Sequence, residues 1–136
     1  MKKFAKVMAV ALVAVMVLAV LVACGPASDP DKAVKALKDN GYASAVKVSA
    51  SGYSYKGLTA VVTASKGLVG ALLGNDDFQT ITIYYFEDTA SANDAWEKIK
   101  SDSDKDKEKN KDSDWVCKKS GKVIYYGTKQ AVKDAR

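Results

Sequence analysis

From Val7 to Ala23 the chain carries no charged residue, glycine or proline. A stretch of that kind cannot be a water-facing surface, so whatever folds in water has to be built from the residues that follow. Lys2, Lys3 and Lys6 stand before the run, and Ala23 and Cys24 close it. A basic head, an apolar middle and a small-residue end follow the plan of an export signal. The run sits near the lower limit of about 17 apolar residues for a membrane-spanning helix. The other reading of the same residues, an uncleaved anchor, leaves the remaining chain on the same side of the membrane.

The last four residues, Leu21-Val22-Ala23-Cys24, resemble the bacterial lipobox, in which two aliphatic or small residues and a small residue lead into a cysteine. The resemblance implies a bacterial lipoprotein. Residues 1–23 are then a signal peptide, the Cys24 thiol carries a diacylglyceryl group, and cleavage falls before Cys24. Two acyl chains hold a protein stably on a bilayer where one is marginal. The expected location is the extracytoplasmic face of the cell membrane, with the membrane itself as a partner. Residues 24–29 form the lipidated cysteine and a tether, Gly25-Pro26-Ala27-Ser28, that spans less than about 18 Å even when fully extended.

Removing the signal changes the charge argument. The whole chain is +5, but three lysines leave with residues 1–23 and no acid does, so 18 basic residues face 16 acidic ones. The basic pI belongs mainly to the signal. Arg136 is the one arginine, so the guanidinium forks that read phosphate are nearly absent and nucleic acid is not an expected partner. With Cys24 modified, Cys117 is the remaining thiol, no internal disulfide can form, and stability must come from packing. Cys117 reads as a small buried strand residue.

Chemistry-bearing patterns are few. The chain has no histidine, which removes the usual base for a serine or cysteine nucleophile. Asp102, Asp104 and Asp106 alternate as in a calcium loop, but Lys107 stands where the loop needs glycine and Ser113 where it needs a bidentate glutamate. Glu87-Asp88 and Asp76-Asp77 are the available carboxylate pairs, and acids beside strands and at helix starts are commonplace. No catalytic residue, metal site or cofactor is expected, and an enzyme is the least favoured reading.

Residues 30–136 suit one domain with a single core. Asp29 and Pro30 read as an N-cap and first helical position, with Ser28 and Asp31 at capping-box spacing. Ala33, Val34 and Leu37 form a stripe, and Asn40-Gly41 supplies the stop. A strand follows over 43–50, then turns through Tyr53 and Tyr55, then a Val/Thr-rich strand over 58–64. Lys66 to Asp77 holds three glycines yet spaces Leu68, Val69, Leu72 and Leu73 almost helically. It reads as a short helix or apolar loop, buried against the sheet; the alternative is an exposed membrane-dipping or partner-binding patch.

Gln79 to Glu87 alternates most clearly, although its second face is mixed. Asp88 or Thr89 caps a helix whose Ala92, Ala95, Trp96 and Ile99 form a sheet-facing stripe. That helix gives out in a charged low-complexity loop over 101–114. Two strands joined at Ser120-Gly121 and a last helix capped by Thr128 complete the chain. The ending from Tyr125 to Ala135, Tyr-Tyr-Gly-Thr-Lys-Gln-Ala-Val-Lys-Asp-Ala, is similar to the ends of small lipoproteins from Gram-positive bacteria, a resemblance that implies no activity.

The order α-β-β-β-α-β-β-α, with short turns between neighbours, predicts an α+β fold. It is a mainly antiparallel sheet of about five strands with helices packed on one face. The expected core is Val46, Val48, Leu58, Val62, Ile81, Ile83, Trp96, Ile99, Val123 and one ring of each tyrosine pair. An uncovered second face would then show Tyr53, Tyr55, Tyr84, Phe86 and Tyr126 to solvent or to a partner. The expected function is that of a membrane-anchored, non-catalytic binding or interaction module of the cell envelope. Its partner would be another envelope protein or a second copy. The alternative is a glycan or small-ligand binder using the tyrosine face.

Overall fold

The computed structural model describes residues 25–74, 78–110 and 114–136. The signal, the lipobox and Cys24 therefore lie outside the described residues, as do Asp76, Asp77 and Ser113. The elements run α1 (Pro30–Asp39), β1 (Val46–Ser49), a 3-10 turn (Ala50–Gly52), β2 (Leu58–Lys66) and α2 (Leu68–Leu72). They continue with β3 (Gln79–Phe86), α3 (Thr89–Lys109), β4 (Trp115–Ser120), β5 (Val123–Thr128) and α4 (Lys129–Asp134). All strand pairs are antiparallel and the sheet order is β1-β2-β3-β5-β4. This is the expected α+β architecture.

The helices do not share one face. Alternation along the strands sends Val62, Ala64, Ile81, Ile83, Tyr85 and Tyr125 to one side, where α1 and α4 cover them. Val61, Tyr84, Phe86, Ile124 and Tyr126 go to the other side, beneath Ala92, Ala95 and Ile99 of α3. The cause is in β3 and β5 themselves. Each is apolar on both faces, and leaving either face wet would forgo roughly 1.5–3 kcal/mol for every large side chain. Both rings of each tyrosine pair are therefore buried, where one was expected.

Val46 and Val48 are corrections to the expected core, at 48% and 36% exposed. They lie on β1, a four-residue edge strand, while α3 packs over β3, β5 and β4 at the other side of the sheet. Leu58, Trp96 and Val123 are half-buried, whereas Val62, Ile81, Ile83 and Ile99 are fully buried.

The charged stretch over 101–109 is helix rather than loop, and α3 continues through it to Lys109. Asp102, Asp104 and Asp106 each have a lysine three residues on, the spacing that makes helix neighbours. The inner stripe continues through Ser103, which is fully buried and accepts a hydrogen bond from Trp115 Nε1 at 2.9 Å. The helix starts on Asp88, whose carboxylate accepts from the Ser91 amide at 2.8 Å, and ends at Asn110. With residues about 100° apart around a helix, Asp102 and Asp106 share a face while Asp104 points about 160° away from both, so the three cannot close on one cation.

At the other end α1 begins as expected, with the Asp29 carboxylate accepting from the Asp31 amide. Ala33 and Leu37 are its buried face. Tyr42 follows, fully buried, and donates its hydroxyl to Asp134 Oδ2 at 2.8 Å while the Lys66 ammonium lies 4.6 Å from its ring centre. Thr128 precedes α4, but its hydroxyl pairs with the backbone of Thr80 instead of capping the helix.

The segment after β2 also departs from expectation. Gly67, at φ +79°, turns the chain out of the sheet, and α2 does not bury its apolar residues. Leu68, Val69, Leu72 and Leu73 are 57–79% exposed.

Candidate functional site

The five aromatic residues expected to form an open face are brought together, but as a packed cluster. Tyr53 and Tyr55 meet the Tyr84 ring edge-on, with centroids at 6.0 and 5.9 Å, and Tyr55 also meets Phe86 edge-on. Tyr84 then leans on Tyr126 at 6.1 Å. Edge-to-face contact of this kind is the favoured geometry of aromatic pairs. Tyr84, Phe86 and Tyr126 are almost wholly buried under α3, which corrects the expectation of a free ring surface; Tyr53 and Tyr55 remain half-buried at its rim.

Burial raises the phenol of Tyr84 well above its ordinary value, assisted by its bond to Tyr126. It raises Tyr55 as well, with the Asp102 carboxylate beside it adding to the effect. These hydroxyls are neutral donors at physiological pH rather than acids or bases.

The cluster ends in a cleft of about 200 Å³ between the last turns of α3 and the start of β3. Its walls include Phe78, Thr82, Asp106, Asn110, Trp115 and Tyr126. Trp115 and Tyr126 lie 6.0 Å apart between ring centroids and 31° from parallel, so two tilted rings line the cleft together. Asp106 and Asn110 follow Ser103 down the same stripe of α3 at helical spacing, which was the signal available in the sequence. It was hidden by reading that stretch as loop.

The other candidate groups carry less chemistry. Cys117 is half-buried and burial pushes its thiol up, which disfavours the reactive thiolate. Asp88 is engaged as a helix cap, and the Ser91 amide holds its carboxyl below the ordinary range. No group of three potential metal-binding side chains occurs among the described residues.

The first described residues are bound to the domain rather than free of it. The Ala27 amide donates to the Ala135 carbonyl at 2.8 Å, and the Ala27 carbonyl accepts from the Tyr85 hydroxyl at 2.7 Å. Gly25 lies so close over Tyr125 that a Cβ there would come within 3.2 Å of the hydroxyl. The expected tether is thus a strap across the α1/α4 face. Cys24 is three residues from the fixed Ala27, at most about 11 Å along the chain. Among the described residues no helix is long and apolar enough to cross a membrane.

No protein-family profile, curated protein or solved structure matches this chain.

Proposed function

We propose that the protein is a bacterial lipoprotein held at the extracytoplasmic face of the cell membrane through Cys24, where its α+β domain acts as a non-catalytic interaction module. The observation that carries this reading is the N-terminal order of basic head, uncharged apolar run and Leu21-Val22-Ala23-Cys24. The position of the strap agrees with it, since the contacts of Gly25 and Ala27 hold the residues that follow Cys24 against the domain. Metabolic labelling with palmitate is expected to mark the wild-type chain and to leave Cys24→Ala unlabelled. Mass spectrometry should find residue 24 acylated at the amino end. Equal labelling of the two, or a retained Met1 without lipid, overturns the reading.

A second reading is favoured by the cleft alone. Two aromatic rings beside a carboxylate, a carboxamide and threonine residues suit a small polar ligand such as a sugar unit. Adding envelope polysaccharide fragments or short peptides is expected to shift tryptophan emission, and Trp115→Phe to abolish the shift. Unchanged emission across both ligand sets argues it down.

A further inference from the structure

We propose that the apolar turn formed by α2 and Leu73 inserts into the bilayer beside the lipid anchor, giving the domain a second membrane contact and one fixed orientation. The inference rests on the lipid-anchor reading of Cys24. The turn presents Leu68, Val69, Leu72 and Leu73 to solvent, each more than half exposed. The sequence places no charge between Lys66 and Asp76. Four clustered aliphatic side chains on a short projection form the kind of patch that marks a contact surface.

The occupant follows from what lies next to the turn. Lys66, the last residue of β2, reaches Asp134 Oδ2 at 3.9 Å and donates to the Asn40 carbonyl at 3.0 Å. The strap reaches the adjoining residue, with the Ala27 amide on the Ala135 carbonyl. The Lys66 side chain at the root of the apolar turn and the Ala27 amide of the anchored segment therefore meet successive residues at the end of α4. Cys24 lies within about 11 Å of chain from that corner. A bilayer that holds the anchor is close to the turn.

Charge favours the same occupant. Lys133 and Arg136 are exposed at this end of α4, and cations beside a membrane surface are drawn to anionic headgroups. Asp134, the acid among them, is already engaged by Tyr42 and Gln130. A second copy of the chain is a poorer fit. A stable dimer takes about 800 Å² from each partner, more than the four exposed aliphatic side chains of α2 and Leu73 present.

The test uses the full chain reconstituted in phosphatidylglycerol/phosphatidylcholine vesicles, with Cys117→Ser removing the competing thiol. An environment-sensitive fluorophore is attached at Leu72→Cys or, for comparison, at Asp94→Cys on the exposed side of α3. Both positions are exposed, so labelling leaves the core untouched. The Leu72 label is expected to shift to the blue and to be quenched by brominated acyl chains, while the Asp94 label stays water-like and unquenched. Adding Leu73→Glu should reverse the shift at position 72.

A water-like, unquenched Leu72 label overturns the proposal. So does a blue-shifted label that brominated lipid fails to quench but that cross-links to a second chain. The amino-terminal mass is read on the same sample. Absence of lipid at Cys24 there defeats the anchor reading, whereas quenching at position 72 rules on the turn independently.

Discussion

Substituting alanine for Gly127 is expected to cost roughly 2–6 kcal/mol, from backbone strain of about 1–3 kcal/mol and overpacking of similar size. Gly127 sits in β5 opposite Ile81 with φ +154°. A Cβ there would lie 2.2 Å from the Thr80 carbonyl oxygen and 2.8 Å from the Ile81 Cα. Both obstacles are backbone of β3, so neither can swing aside as a side chain would. Relief requires parting β5 from β3 at the centre of the sheet, and both faces there are packed. Domains of this size hold only about 5–15 kcal/mol in total, so Gly127→Ala should lose much of its urea resistance. A midpoint within experimental error of wild type would show that the two strands are not packed as tightly as described.

The second large effect is alkaline unfolding. Burial raises Tyr42, Tyr84 and Tyr85 above the ordinary phenol value of 10.0; the Asp134 carboxylate adds to the first, the Tyr126 bond to the second and the charge of Asp29 to the third. Below pH 10 these groups are protonated in folded and unfolded chains alike, and their contribution is fully present. Above pH 10 the unfolded chain releases protons that the folded one retains, so stability falls as pH rises. Each tyrosine contributes up to about 1.4 kcal/mol per pH unit, or about 4 kcal/mol for the three together.

Chemical denaturation at pH 9 and pH 11 should show this fall, and Tyr84→Phe should make it shallower. Equal stability at the two values would mean that these phenols ionise as freely as in the unfolded chain. With no histidine in the chain, no imidazole titration complicates the neutral range.

The parts of the fold that were legible in the sequence are those set by local periodicity. The alternation of Ile81, Ile83 and Tyr85, the cap at Asp88 and the Asp29-Pro30 start of α1 stand where the residues put them, and the last hairpin turns one residue later than expected, at Gly121-Lys122 with Ser120 paired to Val123. What was hidden depends on contacts between distant elements. Tyr84 and Phe86 gave β3 a second apolar face, which called for a cover on that side. The helix that supplies it was cut short because its inner stripe continues through Ser103, a polar residue satisfied by Trp115.

Val46 and Val48 have the pattern of core strand residues, but strand composition does not reveal which strand ends up at the edge. The strap was invisible for a related reason: Ala27 is held by a backbone carbonyl from the far end of the domain and by one phenol. Alanine and proline announce neither. Of the candidate site, the aromatic members were legible by type and wrong in exposure. The polar lining of the cleft was obscured with the helix that carries it.

The hydrogen bond between Ala27 and Ala135 sets the start and finish of the folded unit side by side, 2.8 Å apart. Cargo fused behind Arg136 would accordingly leave the domain next to its own entry point. A bulky reporter attached there would crowd the strap and whatever the amino end meets.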